Sequence, residues 1–587
     1  MEVNKELNRT RHLSDFRYDI KNCIYILPEQ KDYTINYSDG FKTENYILQS
    51  LKKAKDIKDD SEELMKMARD WPSYYHLGIE RSNILKALNL PSNAKVLELG
   101  SGCGALTRYL GEKFESVDGI EGSSLRAQIA YERCRDLENV RIFASNFKYI
   151  KFFPAYDIVT LIGVLEYAPI YFLNQHNASE SCLSLLKLAK TALKENGILI
   201  IAIENKIGIK YWSGCPDDHT GKFFNGIQGY TNDQSPITFS KKEIEALLKI
   251  AGFSNISFYH CFPDYKFAST IISDVGNEKD FYLHNWVKIP FISYKSPRIY
   301  TFHEGLAIKT LSESGLLREF ANSFLIVAGQ NDSHILSEPD WIAKRFSIKR
   351  RKNFRCITTL KLKPKIYIKK EKLFYDHEDY IEKDDIKIKH KIADSSCFHI
   401  GNLMIFDVYK VLFEENFNEK ILGLLKTYYQ EIVKRYYIGL NDEEGYPLLQ
   451  GNSIDFIFRN IIKQKNNLLA IDNEWCVEKY ISADYLMYRC IVYDIVSQNY
   501  WVRKRTKNTD KFTIYLMKYF FPNYSNRRNN KNILLEKSFQ NVVVGNSGEI
   551  NFVQKKYFLN NKIVWSIIKK IWSKLPENIK FKIKKFV

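Results

Sequence analysis

Ala94 to Leu99 is a short, mostly apolar run that stops at glycines, the pattern of a buried parallel strand. Ala105 to Phe114 follows with helical spacing, Leu106, Tyr109 and Leu110 sharing one side. Val117 to Ile120 reads as a second strand, ending at Glu121. Another apolar run, Gly197 to Ile203, predicts a fifth strand, and Lys241–Ala251 predicts a helix. Ser240 with Glu243 three residues on forms a capping box for that helix. Phe302 to Gly329 is mixed and reads as trailing strands of the same unit. Lys344–Lys370 alternates apolar and basic residues, as half-buried strands do. Asn418 to Tyr437 is a long helical stretch carrying Leu422, Leu425, Tyr428, Tyr429 and Ile432. In Asn560–Val587 an apolar stripe (Ile563, Val564, Ile567, Ile568, Ile571, Trp572, Leu575) lies beside Lys562, Lys569, Lys570 and Lys574, and Pro576 ends it.

At 587 residues the chain is too long for one domain, and roughly 100–200 residues per domain predicts three or four. A hydrophobic fraction of 45% excludes a wholly disordered protein. The formal net charge of +18 suggests an acidic partner, but it is uneven. Lys344–Lys370 holds 12 Lys or Arg and no acid, and Lys511 to the end holds 16 against Glu536, Glu549 and Glu577. The remainder is therefore net −7. The N-terminus has no apolar run of signal-peptide length, and no run reaches the roughly 18 residues of a spanning helix. Ten scattered cysteines without a CxxC pair fit reduced thiols. A cytoplasmic protein is expected.

Strand, Gly-rich turn, helix, strand and acid make a nucleotide-binding unit. The glycines let a ligand approach backbone N–H groups, and the acid can take both ribose hydroxyls. Gly100, Gly102 and Ala105 satisfy the dinucleotide spacing GxGxxA, whereas Glu98, Gly100, Gly102 and Gly104 read ExGxGxG. The second pattern resembles the motif of class I S-adenosylmethionine-dependent methyltransferases. Ala144-Ser-Asn146-Phe147 resembles that family's third-strand motif, with Asn in place of the usual Asp. Tyr156 to Tyr167 resembles its fourth-strand motif. The resemblance implies S-adenosylmethionine as cofactor. It places Glu98 at the amino-acid end, Gly100, Ser101, Gly102 and Gly104 along the cofactor, Glu121 on the ribose, and Asn146 and Phe147 at the adenine. Tyr75–Asn83, just before the first strand, would close the site or simply pack.

The phrases Glu204-Asn-Lys-Ile-Gly-Ile-Lys-Tyr211, Asp218-His219-Thr-Gly221 and Phe262-Pro-Asp-Tyr-Lys266 look like a group of bacterial methyltransferases of surface-polysaccharide (O-antigen-type) synthesis. That likeness spans about Trp71 to Ser273 and implies a sugar hydroxyl of a surface polysaccharide or lipid-linked glycan as acceptor. A hydroxyl benefits from a general base. His219 is the candidate, with Asp217 or Asp218 to orient it; a loop-stabilising histidine is the alternative. A phosphate acceptor would need no base.

In the second half, Asp455-x4-Asn460, followed twelve residues later by Asp472, resembles the catalytic and metal-binding loops of kinase-like folds. That likeness implies Asp455 orienting an acceptor hydroxyl, Asn460 and Asp472 binding magnesium, and Lys369 or Lys370 touching ATP. Ser453 replaces the usual His, no Gly-rich loop precedes it, and Asp-Asn-Glu-Trp replaces Asp-Phe-Gly. The expected architecture is α/β. It has a leader (1–70), a Rossmann-like class I methyltransferase domain (71–330), an α+β kinase-like domain (340–510) and a basic amphipathic tail (511–587). The tail's stripe suits the inner surface of an anionic membrane, or docking on the protein itself. No motif supports nucleic-acid binding. Two alternatives to the simple glycan methyltransferase stand beside it. One is a bifunctional kinase–methyltransferase resembling O-antigen chain terminators. The other is a methyltransferase with a non-catalytic glycan- or membrane-binding module.

Overall fold

The computed structural model describes residues 10–27, 38–172, 177–230, 236–295, 298–330, 339–363, 365–374, 380–383, 386–465 and 467–545. The amphipathic segment 560–587 lies outside the described residues.

Seven strands build the first half: β1 (Lys95–Leu99), β2 (Ser116–Glu121), β3 (Val140–Ala144), β4 (Tyr156–Ile162), β5 (Leu193–Glu204), β6 (Asn255–Phe262) and β7 (Ser323–Gly329). They lie side by side in the order 3-2-1-4-5-7-6. The first five are mutually parallel, and β7 runs antiparallel between β5 and β6. Period-two side chains explain why both faces are covered. Leu97, Val159, Leu161, Leu199 and Ile201 join one core, and Val96, Ile158, Ile198, Ile200 and Ala202 join the core on the opposite face. Helix Ala105–Lys113 begins at Gly104, and helix Lys241–Ala251 has its Ser240–Glu243 capping box. Gly104 owes its identity to packing. It sits at φ +80°, and a Cβ there would meet the Ala130 backbone at 2.7 Å.

The domain layout differs from expectation in three places. The described part of the expected leader 1–70, residues 10–27 and 38–70, is not separate. Strand Ile24–Ile26 pairs in parallel with β3, and helix Phe41–Lys53 packs on helix Ser124–Cys134. Nor does the sheet stop near residue 330. Beyond β6 it continues through Thr270–Ser273, Trp341–Ser347, Cys356–Lys361, Tyr367–Lys372 and Ser395–Cys397, all antiparallel, to make 14 strands. Finally, residue 510 falls inside helix Thr509–Phe520. That helix and Asn526–Val544 bury Phe512, Leu516, Met517, Phe539 and Val542 in the second half's core.

The basic stretch is also consumed internally. Ten of its 12 Lys and Arg hold an acid or a backbone carbonyl. Lys349 reaches Glu80, Lys352 reaches Asp60 and Arg355 reaches Glu62, while Arg345 and Arg350 reach Asp472 and Glu474. It is a seam between the halves rather than a face for an acidic partner. The last helix is held similarly. Arg528 is fully buried and forks onto Asp484 at 2.7 Å and Asp442 at 2.6 Å. Arg528→Met would strand Asp484 in the core, and such a break costs about 3–5 kcal/mol. The expected outcome is a lowered thermal-unfolding midpoint, read by near-ultraviolet circular dichroism.

Candidate active site

In an open α/β sheet, ligands bind beyond the carboxyl ends of the strands where the strand order reverses. Here that point lies between β1 and β4. A cavity of about 390 Å³ opens there, lined by Glu98, Gly100, Ser101, Gly102 and Glu121 on one side. Gly163, Val164, Asp218, His219, Tyr265 and Lys266 line the other. The turn after β1 is built for close approach. Gly100 (φ +85°) and Ser101 donate their N–H groups to Ile120 O, and a Cβ on Gly100 would strike Val164 at 2.5 Å. Gly102, at φ +56°, has nothing within 4 Å of where a Cβ would be. The Ser101 hydroxyl is buried without a hydrogen-bond partner among the described residues. Glu121 accepts from Gly102 N at 2.7 Å and from Ser123 N at 2.9 Å. Glu98 is buried and accepts from the Thr107 hydroxyl; burial pushes its carboxyl up to about 8.

Three expected cofactor residues stand off this wall. Gly104 packs against Ala130, as described. Asn146 caps the turn Phe147–Tyr149 by accepting from Lys148 N, and Phe147 is buried edge-on against Tyr171. Tyr171 is the ring that reaches the cavity. The region before β1 does border the site, through Trp71, Tyr75, His76 and Arg81.

The far end holds a dense charge cluster. His219 Nε2 lies 3.3 Å from Glu204 Oε2, and its Nδ1 lies 3.1 Å from the Tyr167 hydroxyl. Asp218 does not orient His219. It turns to Lys210 at 2.6 Å and Lys266 at 2.9 Å, because neighbours on this loop point apart. Asp217 caps the loop instead, accepting from His219 N and Thr220 N. Lys266 also pairs with Glu204. Burial opposes charge on His219, but the Glu204 carboxylate and then Glu166 outweigh it and push the imidazole up to about 9. Burial, reinforced by Glu204, holds Glu166 up at about 7. Burial also opposes charge on Glu204, but Lys266 and His219 keep it well below the carboxylate range. Glu204 and Lys266 stand in the phrases of the polysaccharide-group likeness, and Glu166 in the fourth-strand motif, but none of the three carried a chemical role from the sequence alone. The available signal was position, since Glu204 ends β5 and Glu166 follows β4, both at carboxyl ends.

The second-half residues meet around a different centre. Asp455 Oδ2 accepts from Glu474 N and Trp475 N, both at 2.8 Å, and burial raises this carboxyl to about 7. The Asn460 amide donates to Asp455 O rather than facing an ion. Asp472 is neutralised by Arg345 and Lys370, and Lys370 also holds Glu474. Lys369 turns to Glu371.

A sequence model for a methyltransferase domain matches residues 77–257. Comparison with curated proteins finds no match. Similar solved structures include a Haemonchus contortus phosphoethanolamine N-methyltransferase bound to phosphomonomethylethanolamine and S-adenosylhomocysteine. It is 16% identical, with 43% of this chain and 52% of that chain covered and a TM-score of 0.26. A Thermotoga maritima methyltransferase gives 15%, 43%, 89% and 0.25, and one from Aquifex aeolicus gives 19%, 32%, 87% and 0.23. The chain thus spans about half the length of the Haemonchus enzyme. Residues 77–257 thus carry the match to a methyltransferase domain.

Proposed function

We propose that the protein methylates a sugar hydroxyl of a surface polysaccharide or lipid-linked glycan precursor. One observation carries this reading. A single cavity joins the glycine turn to the Asp218–His219–Lys266 cluster beneath the rings of Trp71, Tyr75 and Tyr294. Flat aromatic faces suit the C–H face of a sugar, and the charged groups suit its hydroxyls.

S-adenosylmethionine, when bound, supplies a methyl group whose C–S bond breaks with its electron pair left on sulfur as the acceptor oxygen forms the new O–C bond. The chain's residues do the positioning. Gly100–Gly102 admit the cofactor, Glu121 takes ribose hydroxyls, and Glu98 faces its ammonium. His219 lines the cavity and receives the hydroxyl proton in its neutral form, which prevails only above about pH 9, so transfer rises with pH up to that point. The test is transfer of labelled methyl to lipid-linked oligosaccharide extracts, with small amines and phospho-amines as comparison; label on the amines alone would refute the glycan acceptor. A lipid-linked glycan sits at the membrane, so the same proposal puts the protein on the inner membrane face through residues 560–587. Unchanged vesicle co-sedimentation after their removal would refute that part.

Glu98 gives this reading a pH signature. With its carboxyl at about 8, an ammonium arriving beside it expels a proton. Binding therefore tightens as pH rises towards 8, by at most about tenfold per unit. Above that the ligand's own amine, with a pKa of about 7.7–8.0, begins to lose its charge and the gain stops. Titration calorimetry at pH 6, 7 and 8 reads both affinity and proton release, and a flat profile would remove Glu98 from the ammonium.

A second reading is favoured by Lys370, which reaches Asp472 from a strand 102 residues away. That juxtaposition suits phosphoryl transfer from ATP with magnesium, Asp455 meeting the acceptor. It predicts ATP-dependent phosphorylation that Asp455→Ala abolishes; absence of ATP binding would leave methyl transfer alone.

A further inference from the structure

We propose that Glu166, Glu204 and His219 form a divalent-cation site against the cavity wall at His219, and that the cation holds the acceptor's oxygen. This role rests on the methyl-transfer reading; the existence of the site does not. The three residues come from the segment after β4, the last position of β5 and the loop beyond it. Their ligand atoms lie within 4.8 Å of one another. The 3.3 Å between His219 Nε2 and Glu204 Oε2 is the separation of two ligands sharing one cation at about 2.0–2.2 Å.

A separate observation points to a missing ligand. Glu166 is fully buried, yet its Oε2 has no hydrogen-bond partner among the described residues. Native proteins seldom leave a buried carboxylate oxygen so. The surrounding groups hold the other atoms of the set. Tyr265 donates to Glu166 Oε1, Lys266 donates to Glu204 Oε1, and the Tyr167 hydroxyl meets His219 Nδ1. Each carboxylate is thereby held through its Oε1; Glu166 Oε2 is left without a partner among the described residues, and Glu204 Oε2 faces only His219 Nε2. A cation entering here would displace the imidazole's proton, as metal binding to histidine does, and two carboxylates with one imidazole are a donor set that suits Mn²⁺ or Zn²⁺. Of the three, His219 lines the cavity while Glu166 and Glu204 lie buried behind it, so an acceptor would approach the cation from the His219 side. With His219 on the cation rather than acting as base, a bound hydroxyl would lose its proton to solvent more readily, and its oxygen would form the O–CH3 bond as the C–S bond breaks.

The test uses the full chain, freed of metal by chelation and titrated with Mn²⁺ while free Mn²⁺ is followed by paramagnetic resonance. The expected result is saturable binding at one site, at least tenfold weaker in Glu166→Gln and displaced by Zn²⁺. S-adenosylmethionine binding of the variant reports that it is folded; if Glu166→Gln does not fold, His219→Gln gives the same comparison. No binding of either ion, or equal binding by the variants, overturns the site. Mn²⁺ binding without any S-adenosylmethionine binding by the unaltered chain would keep the site and sink the methyl-transfer reading.

Discussion

Gly102→Arg is expected to weaken S-adenosylmethionine binding at least ~100-fold, about 2.8 kcal/mol, while the fold survives. The two halves of this expectation have different causes. A Cβ at Gly102 meets nothing within 4 Å, so the backbone environment tolerates a side chain. The positive φ costs a non-glycine residue only about 1–2 kcal/mol. The guanidinium then occupies the cavity in which the cofactor's backbone contacts are made. Gly104→Val should fail in the opposite way. Its Cβ would overlap the Ala130 backbone, prying helix Ala105–Lys113 from helix Ser124–Cys134 and lowering the unfolding temperature. Calorimetric titration and thermal unfolding, run on both variants, separate the two effects. Full-strength binding by Gly102→Arg would place the cofactor elsewhere.

His219→Gln is expected to lower kcat by about 10²–10⁴-fold with the affinity for S-adenosylmethionine unchanged. As proton acceptor or as metal ligand, the imidazole acts through a ring nitrogen lone pair, which a glutamine amide does not provide. The ring is held between Glu204 and Tyr167 at 3.3 and 3.1 Å, a geometry that a packing residue would not require. A purely structural histidine would give a different pattern, with unfolding temperature, cofactor affinity and kcat falling together. Steady-state kinetics at saturating cofactor, with the acceptor KM measured alongside, distinguishes these outcomes.

The parts of the site legible in the sequence are those made by local pattern. β1, its glycine turn, the helix and Glu121 lie within 27 residues, and each follows from strand period, helix period or turn chemistry. The charge cluster was legible only as separate letters. Lys266 and Glu204 are 62 residues apart, and they meet because β5 and β6 flank β7 in the same sheet. Adjacency misled at Asp218, which is next to His219 in sequence but turned to the lysines. The boundary near residue 330 misled for a related reason. Trp341–Ser347 pairs with Thr270–Ser273, and long-range strand pairing leaves no local mark. Charge counting likewise found the basic stretch without finding the acids that neutralise it, since Asp60, Glu62 and Glu80 lie in the first hundred residues.

The uninterrupted sheet bears on how this protein can be divided. A fragment ending at residue 330 would strip the partner from Thr270–Ser273, leaving its N–H and C=O groups as a raw edge for other chains to pair with. The complementary fragment would begin with Trp341–Ser347 equally bare and would lose the acids that quench its cations. The two halves are therefore not beads on a string to be exchanged or expressed apart. A gene fusion or truncation that respected the methyltransferase match at residues 77–257 would cut through a hydrogen-bonded fabric.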